Sequence, residues 1–374
     1  MWSLPPNLVE AFRHEYQVTP QVTAWRDGAR LDVDMDVLSG SVTMTDSPGV
    51  RATLDLDVAP QPGLWDLLAP LGTTLRVSLE FRWGIERAVV PLGWFDVEQQ
   101  SLSYDIGGVL SLSGCPDRWA RVMIRRFDAP VTPNGNAVNL AVQYARTALG
   151  SDVGTAFISP STARVRGQVY EESRDEAVQA LLNAANKRAF VDRVGRLVVK
   201  ARPELTGPAV WEVDSFHGGV LISADRGRSS RAVRNQIIVV PAGTAVFPRQ
   251  YVSDTDPASP TRVTGPMGYR PRFYSSPSIR TAEQARIVGR SILRASTALG
   301  AEVTVTTAPH WGLEPGDLID LALPGVGGDG WAAERHLIQS VTLPIPQRGK
   351  AATQTIVMRS TRPDGGDDID GGAA

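Results

Sequence analysis

The chain of 374 residues has one cysteine, Cys115, and only four histidines. A single thiol excludes an internal disulfide framework and a cysteine-based zinc site, and it suits a chain folded in a reducing cytoplasm. His14, His217, His310 and His336 stand far apart in sequence. None has a carboxylate or a second histidine at helical ligand spacing, so structural or surface roles are the first reading. His217, in DSFHGG, and His310, beside Trp311, sit in turn contexts, which keeps a pocket role open for each. Eighteen apolar residues never stand together, and MWSLPPNLVEAF lacks a basic region followed by an apolar run. Neither a membrane span nor a classical export signal is expected. Excess charge is also missing: 38 basic residues against 40 acidic ones leave a formal charge of −2. That gives no bulk attraction to nucleic acid or to an anionic membrane, so partners must be recognised by shape. No G-x-S-x-G elbow occurs, and Ser229, Ser230 and Cys115 have no base near them in sequence. The stretch GVGGDG, Gly325 to Gly330, has no following helix and no Lys-Ser/Thr, which makes it a loop and not a phosphate cradle. No cofactor, metal or catalytic site is expected.

What is present is a composition with 42% hydrophobic and 21% charged residues, enough for two to three soluble domains. Residues 1–15 read as an arm with a short helix, Asn7 as its cap and Leu8, Val9 and Phe12 on one side. Residues 16–127 follow period two. Gln21 to Trp25 and Arg30 to Val33 flank an Asp27-Gly28 turn. Val42 and Met44 alternate with polar residues, as do Ala52, Leu54, Leu56 and Val58. Leu75, Val77, Leu79, Phe81 and Trp83 make the longest alternating strand. Gly84 interrupts it, and strands at 88–90, 93–97 and from Tyr104 to Leu112 follow. Many short strands without intervening helices predict an antiparallel barrel or sandwich.

DAPVTPNGN, residues 128–136, sustains neither period and marks a boundary. Residues 128–210 then predict a small α/β domain. Asn136 caps a helix that ends at Gly150. The stretch EESRDEAVQALLNAANKRAFVDRVGRLVVK, Glu171 to Lys200, reads as helix, strand, turn, strand. Ser173 with Glu176 forms a capping box; Ala177, Leu181, Ala184 and Ala185 make a small-residue face. Asn186, Lys187 and Arg188 close the helix, and Asp192-Arg193-Val194-Gly195 joins two hairpin strands.

Residues 211–361 return to β patterning around one long helix. Strands are expected at 220–223 and 236–240, separated by a basic segment that carries Arg226, Arg228, Arg231 and Arg234. Arg249 to Pro271 reads as a surface loop. Thr281, with Gln284 as its box partner, starts a helix whose buried stripe is Ala285, Val288, Ile292, Leu293 and Leu299. Strands at 302–307, 317–323, 336–345 and 353–360 follow. The acidic, glycine-rich residues 362–374 hold almost nothing to bury and are expected to be disordered.

The capped helix running into a strand, a D-x-x-G turn and a strand ending in L-V-V-K resembles the middle of phage tail baseplate and tail-tip hub proteins, and of the related spike-bearing hubs of secretion and contractile injection systems. LGWFDVEQQSLSYDIGGVLSLSG, TAEQARIVGRSILRAS and LEPGDLIDLAL with HLIQSVTLPI are similar to that family on either side. The resemblance implies a mainly β fold with an α+β insert: two antiparallel β-barrel-like domains flanking a small α/β domain. It implies a homotrimer whose paired β domains imitate tube subunits and dock as a pseudo-sixfold ring on a hexameric tail tube. Partners would be tube or distal-ring proteins, tape measure and tip or spike proteins, in a virion tail assembled in the host cytoplasm. The 249–271 loop departs from the family as an insertion. No lysozyme-like, peptidase-like or fibre segment is present, so a non-enzymatic role is expected.

Several residue groups admit two readings. Asp32, Asp34 and Asp36, or Asp55 with Asp57, alternate along strands and are either a cation site or, as an EF-hand glycine and glutamate are missing, a solvated face. Trp65, Trp83, Trp94, Trp119, Trp211, Trp311 and Trp331 suit core and interface anchoring, with sugar stacking by Trp-bearing loops of a carbohydrate- or cell-wall-binding or carbohydrate-active protein as the alternative. Arg226 to Arg234 suits an intersubunit ion-pair surface ahead of nucleic-acid contact. Arg226, Arg228, Arg231, Arg249 and Tyr251 are the expected assembly contacts.

Overall fold

The structure, a computed structural model, describes residues 1–12, 16–104, 107–203, 207–214, 219–228, 230–231, 233–242, 245–276, 279, 281–297, 301–323, 334–347 and 351–360. His14, His217, Ser229, Leu299, Trp331, the GVGGDG stretch and the acidic tail lie outside the described residues, as does the side chain of Arg228. The chain forms two compact units. One holds Met1–Glu204, Thr307–Gly316 and Ser340–Ile356; the other holds Leu205–Thr306, Asp317–Gln339 and Val357–Ala374. The architecture is mainly β with an α+β insert, and among the described residues none of the sheets closes into a barrel.

In the first unit, alternation does what the physical chemistry of a pleated strand demands: Leu75, Val77, Leu79 and Phe81 of strand Thr74–Trp83 are fully buried. That strand pairs with Gln17–Arg26 on one side and Glu86–Asp96 on the other. Asp27 and Gly28, at φ 52° and 76°, make the two-residue turn into Ala29–Arg30. Both positive angles suit the primed turn that matches strand twist. The partner strand is shorter than the predicted 30–33, and residues 31–36 leave the sheet. One strand, Glu86–Asp96, replaces the two expected after Gly84, because a register slip opposite Val77 and Ser78 absorbs the interruption.

A second sheet places Gln100–Ser103, Val109–Pro116, Ala52–Val58, Val37–Thr45 and the end of Glu334–Pro344 side by side. Tyr104 lies outside these strands and is exposed, so the last strand starts at Val109. Asp57 accepts from Ser39 and Ser111, both at 2.6 Å, and Asp55 accepts from the Gly114 amide at 2.8 Å. These carboxylates cross-link neighbouring strands. The arm helix runs Pro6–Ala11, with Pro5 and not Asn7 at its cap; Asn7 instead donates to Glu86. A proline at the first helical position loses no bond, as that amide has no partner in the helix.

The α/β insert follows its local signals. Asn136 Oδ1 accepts from the Asn139 amide at 3.0 Å and starts helix Ala137–Leu149; Ser173 Oγ accepts from Glu176 at 3.2 Å and starts Arg174–Ala184. Asn186, at φ 51°, closes the second helix, and strand Lys187–Val191 begins at once. Asp192 Oδ1 accepts from the amides of Val194 and Arg196, and Gly195 takes φ 82°. The hairpin returns as Leu197–Ala201, which also pairs in parallel with Thr155–Ile158. Val138, Ala141, Ala145, Val178, Leu181, Leu197 and Val199 form the shared core, onto which Trp119 packs.

In the second unit, Trp211–Asp214 runs parallel to Leu318–Ala322, which pairs antiparallel with the start of Glu334–Pro344. Leu221–Arg228 is a strand and not a linker, so Arg226 and Arg228 sit in a sheet. The 249–271 segment is less loop than predicted. Gln250–Ser253 and Pro271–Ser275 flank the central Gln236–Val240 as a three-stranded sheet. Between them Asp254 accepts from Ser259 and Thr261, and Asn235 bonds to the carbonyls of Thr261 and Gly268. Thr281 caps helix Ala282–Thr297, which lies on that sheet through Ala285 against Ile237 and Val239. Gly289 permits the approach: a Cβ there would stand 2.8 Å from a Val252 methyl.

Candidate assembly surfaces

A cleft of about 740 Å³ opens in the first unit between residues of the β domain and the α/β insert. Trp25 and Trp94, with ring centroids 5.5 Å apart, form part of its wall. The Arg118 guanidinium stacks over Trp94 at 4.1 Å and pairs with Asp152 at 3.2 Å. Burial, then the charge of Arg121, pushes Arg118 below its ordinary pKa. Arg121 is held above its own, because Asp96 and Asp152 outweigh its burial. Arg121 grips both Asp96 oxygens at 2.7 and 2.8 Å and donates to Thr74 at 2.9 Å, so short helix Ala120–Ile124 is bolted to strand Thr74–Trp83. The charges of Arg118, Arg121, Asp96 and Asp152 are thus spent on each other. Trp94 is covered on its ring by Arg118, and the Gly195 backbone lies so close that a Cβ would meet its Cδ1 at 2.8 Å. Trp119 and Trp311 are fully buried, which makes them core anchors.

Of the expected contacts, Arg226 is half-buried and pairs with Glu334 at 3.5 Å. His336 sits beside it, fully buried, with Nε2 3.6 Å from Glu334. Burial first and the Arg226 charge second lower its pKa to about 4, so the imidazole is neutral. Arg335 grips Asp320 with two bonds, at 2.9 and 3.0 Å. Arg231 is exposed. Arg249 and Tyr251 stand together elsewhere, at the start of strand Gln250–Ser253, both exposed. Register puts Tyr251 and Phe273 on either side of Ile238, on the sheet face away from the helix. Tyr251 is 59% exposed and Phe273 63%. Phe273 escaped sequence reasoning because its partner strand is known only once the register is known.

Among the described residues, these surfaces do not bring an acid, a base and a nucleophile together. Burial pushes the Cys115 thiol up to about 11, which removes its thiolate at neutral pH. Among the described residues no three His, Cys, Asp or Glu side chains are placed to hold a metal ion. Asp32, Asp34 and Asp36 are exposed in an irregular segment, not on a strand face as alternation predicted, and His310 packs edge-on to Phe12.

No protein-family model matches the sequence, and no curated protein does. Solved structures match over nearly its whole length. The tail protein of Neisseria meningitidis MC58 aligns over 91% of this chain and 96% of its own, with a TM-score of 0.64 at 13% identity. The 43 kDa tail protein of prophage MuSo2 from Shewanella oneidensis aligns over 92% and 99%, with a TM-score of 0.61 at 16% identity. The chain has the fold of phage tail proteins. A chain of the Francisella PdpA–VgrG complex shares the tail-protein fold more distantly, over 96% of this chain and 60% of its own, with a TM-score of 0.53 at 8% identity.

Proposed function

We propose that this protein is a non-enzymatic structural subunit of a phage or phage-like tail: a baseplate or tail-tip hub whose homotrimer adapts the hexameric tube to the distal tip. The observation that carries the proposal is the tail-protein fold shared over more than nine-tenths of the chain with two tail proteins. In this reading residues 16–127 and 211–361 are the two tube-like domains and 128–210 is the insert between them. Arg226, Arg228, Arg231, Arg249 and Tyr251 meet neighbouring subunits. Tube or distal-ring proteins lie above the ring, tape measure and tip or spike proteins within and below it, and the whole is a virion tail component assembled in the host cytoplasm. The arrangement suits such work physically: open sheets leave edge strands that pair across subunits under closed symmetry. Mass photometry of the purified protein tests it, with a trimer as the expected species. Cryo-EM of particles should then place density for this chain at the tube's distal end; a strict monomer that is absent from particles overturns the proposal.

A further inference from the structure

Charge is distributed unevenly along this nearly neutral chain. Between Arg231 and Arg294 the sequence has ten arginines, no lysine and only Asp254, Asp256 and Glu283 in opposition, an excess of seven positive charges. With the whole chain at −2, the remaining residues carry nine more negative than positive charges. Three of those arginines lie on helix Ala282–Thr297. Arg286, Arg290 and Arg294 recur every fourth residue and are exposed, with exposed Ile287 beside them. Arg286 donates to Gln250 Oε1 at 2.9 Å, and among the described residues neither Arg290 nor Arg294 has an acidic partner. Like charges at this spacing destabilise an isolated helix. The stripe therefore makes sense opposite carboxylates.

The same chain holds a matching row. Asp32, Asp34 and Asp36 are all exposed while Met35 between them is buried, so the three carboxylates face outward from an irregular segment that has left the sheet. Three exposed guanidiniums thus have three exposed carboxylates as their charge complement. We propose that the occupant of the Arg286–Arg290–Arg294 face is a second copy of this chain, which presents Asp32, Asp34 and Asp36 in a head-to-tail contact. One surface meets a different one, and a closing rotation makes a ring. This rests on the hub reading above and names one of its subunit contacts. Arginine suits the task, as its planar fork matches a carboxylate and stays charged.

The test is a charge swap read by mass photometry and sedimentation. Arg286→Glu/Arg290→Glu/Arg294→Glu and Asp32→Arg/Asp34→Arg/Asp36→Arg should each lose self-association, and an equimolar mixture should associate again. Arg286→Gln/Arg290→Gln/Arg294→Gln, which spares the helix any new repulsion, should weaken assembly about tenfold. Wild-type assembly should weaken as salt rises. If the wild type forms its ring and both swapped variants do so equally well, this contact is wrong and the hub reading survives. A wild type that is monomeric at low salt and high concentration sinks both. Binding of a labelled oligonucleotide by the wild type, lost in the arginine variant while self-association is unchanged, assigns the stripe to nucleic acid and overturns the proposal.

Discussion

Arg193, in the middle of the insert's hairpin turn, faces Glu314 at 3.5 Å although 121 positions separate them. The same guanidinium donates to the carbonyls of Trp311 and Leu313, both at 2.6 Å, and Arg51 approaches Glu314 at 3.8 Å from the first β domain. Burial alone would raise the Glu314 carboxyl, but Arg51 and Arg193 hold it below its usual range. One ionised acid between two buried arginines therefore ties segment Thr307–Gly316 to the rest of its unit. Replacing Arg193 by Ala takes the donor from two buried carbonyls and removes one of the two buried arginines beside Glu314. The expected loss is about 3 kcal/mol, seen as a fall in the urea midpoint. Arg193→Lys should recover only part of it, since one ammonium cannot span both carbonyls and the carboxylate.

How much of this was visible in advance divides by sequence distance. The caps at Asn136, Ser173 and Thr281 and the Asp192–Gly195 turn are set by side chains bonding amides two to four residues away, so a one-dimensional reading reaches them. Buried alternation in Thr74–Trp83 is local in the same sense. The parallel pairing of Gln236–Val240 with Pro271–Ser275, the Tyr251–Ile238–Phe273 row and the Arg193–Glu314 pair depend on which distant segments meet. No periodicity encodes that. The basic segment around Arg226 is plain in the sequence, yet the partner Glu334 comes from a strand more than a hundred residues on.

His336 predicts a pH dependence of definite sign. Its folded pKa of about 4 lies below the ordinary 6.5, so the unfolded chain takes up a proton first as pH falls. The associated stability is complete above pH 6.5 and drains away between pH 6.5 and 4. The loss is on the order of 3 kcal/mol at the acid end. Asp117 acts oppositely in an overlapping window. Burial raises its pKa to about 6 against the bonds it accepts from Arg51, Ala52 and Trp119, so its contribution falls as pH rises from about 4 to 6. Urea melts of wild type and His336→Phe across pH 4 to 7 separate them. The variant should lose the acid-side decline; an unchanged decline refutes the assignment to His336.

Cys115 gives a labelling prediction. It is the only thiol, fully buried, with its pKa pushed up to about 11 by desolvation ahead of the nearby carboxylates. In native buffer at pH 7.5 a thiol reagent should modify almost no protein, and urea should expose one equivalent in step with unfolding. Rapid native labelling contradicts the packing of strand Val109–Pro116.

Gly289 sets helix propensity against packing, and the two magnitudes decide the outcome. Alanine in place of a mid-helix glycine gains up to ~1 kcal/mol. Here its Cβ would stand 2.8 Å from the Val252 methyl and 3.4 Å from a Val239 methyl, and a β-branched neighbour in a strand has little room to turn. Overpacking of this kind costs about 1–3 kcal/mol. Gly289→Ala should therefore lower stability by about 1 kcal/mol net, while Val252→Ala alone loses a partly buried side chain. Combined, the two changes relieve the clash, and the double variant should be more stable than the sum of the single effects allows. The coupling, measured by chemical denaturation of all four proteins, should be at least about 0.5 kcal/mol. Simple additivity means that helix Ala282–Thr297 does not lie this close to strand Gln250–Ser253.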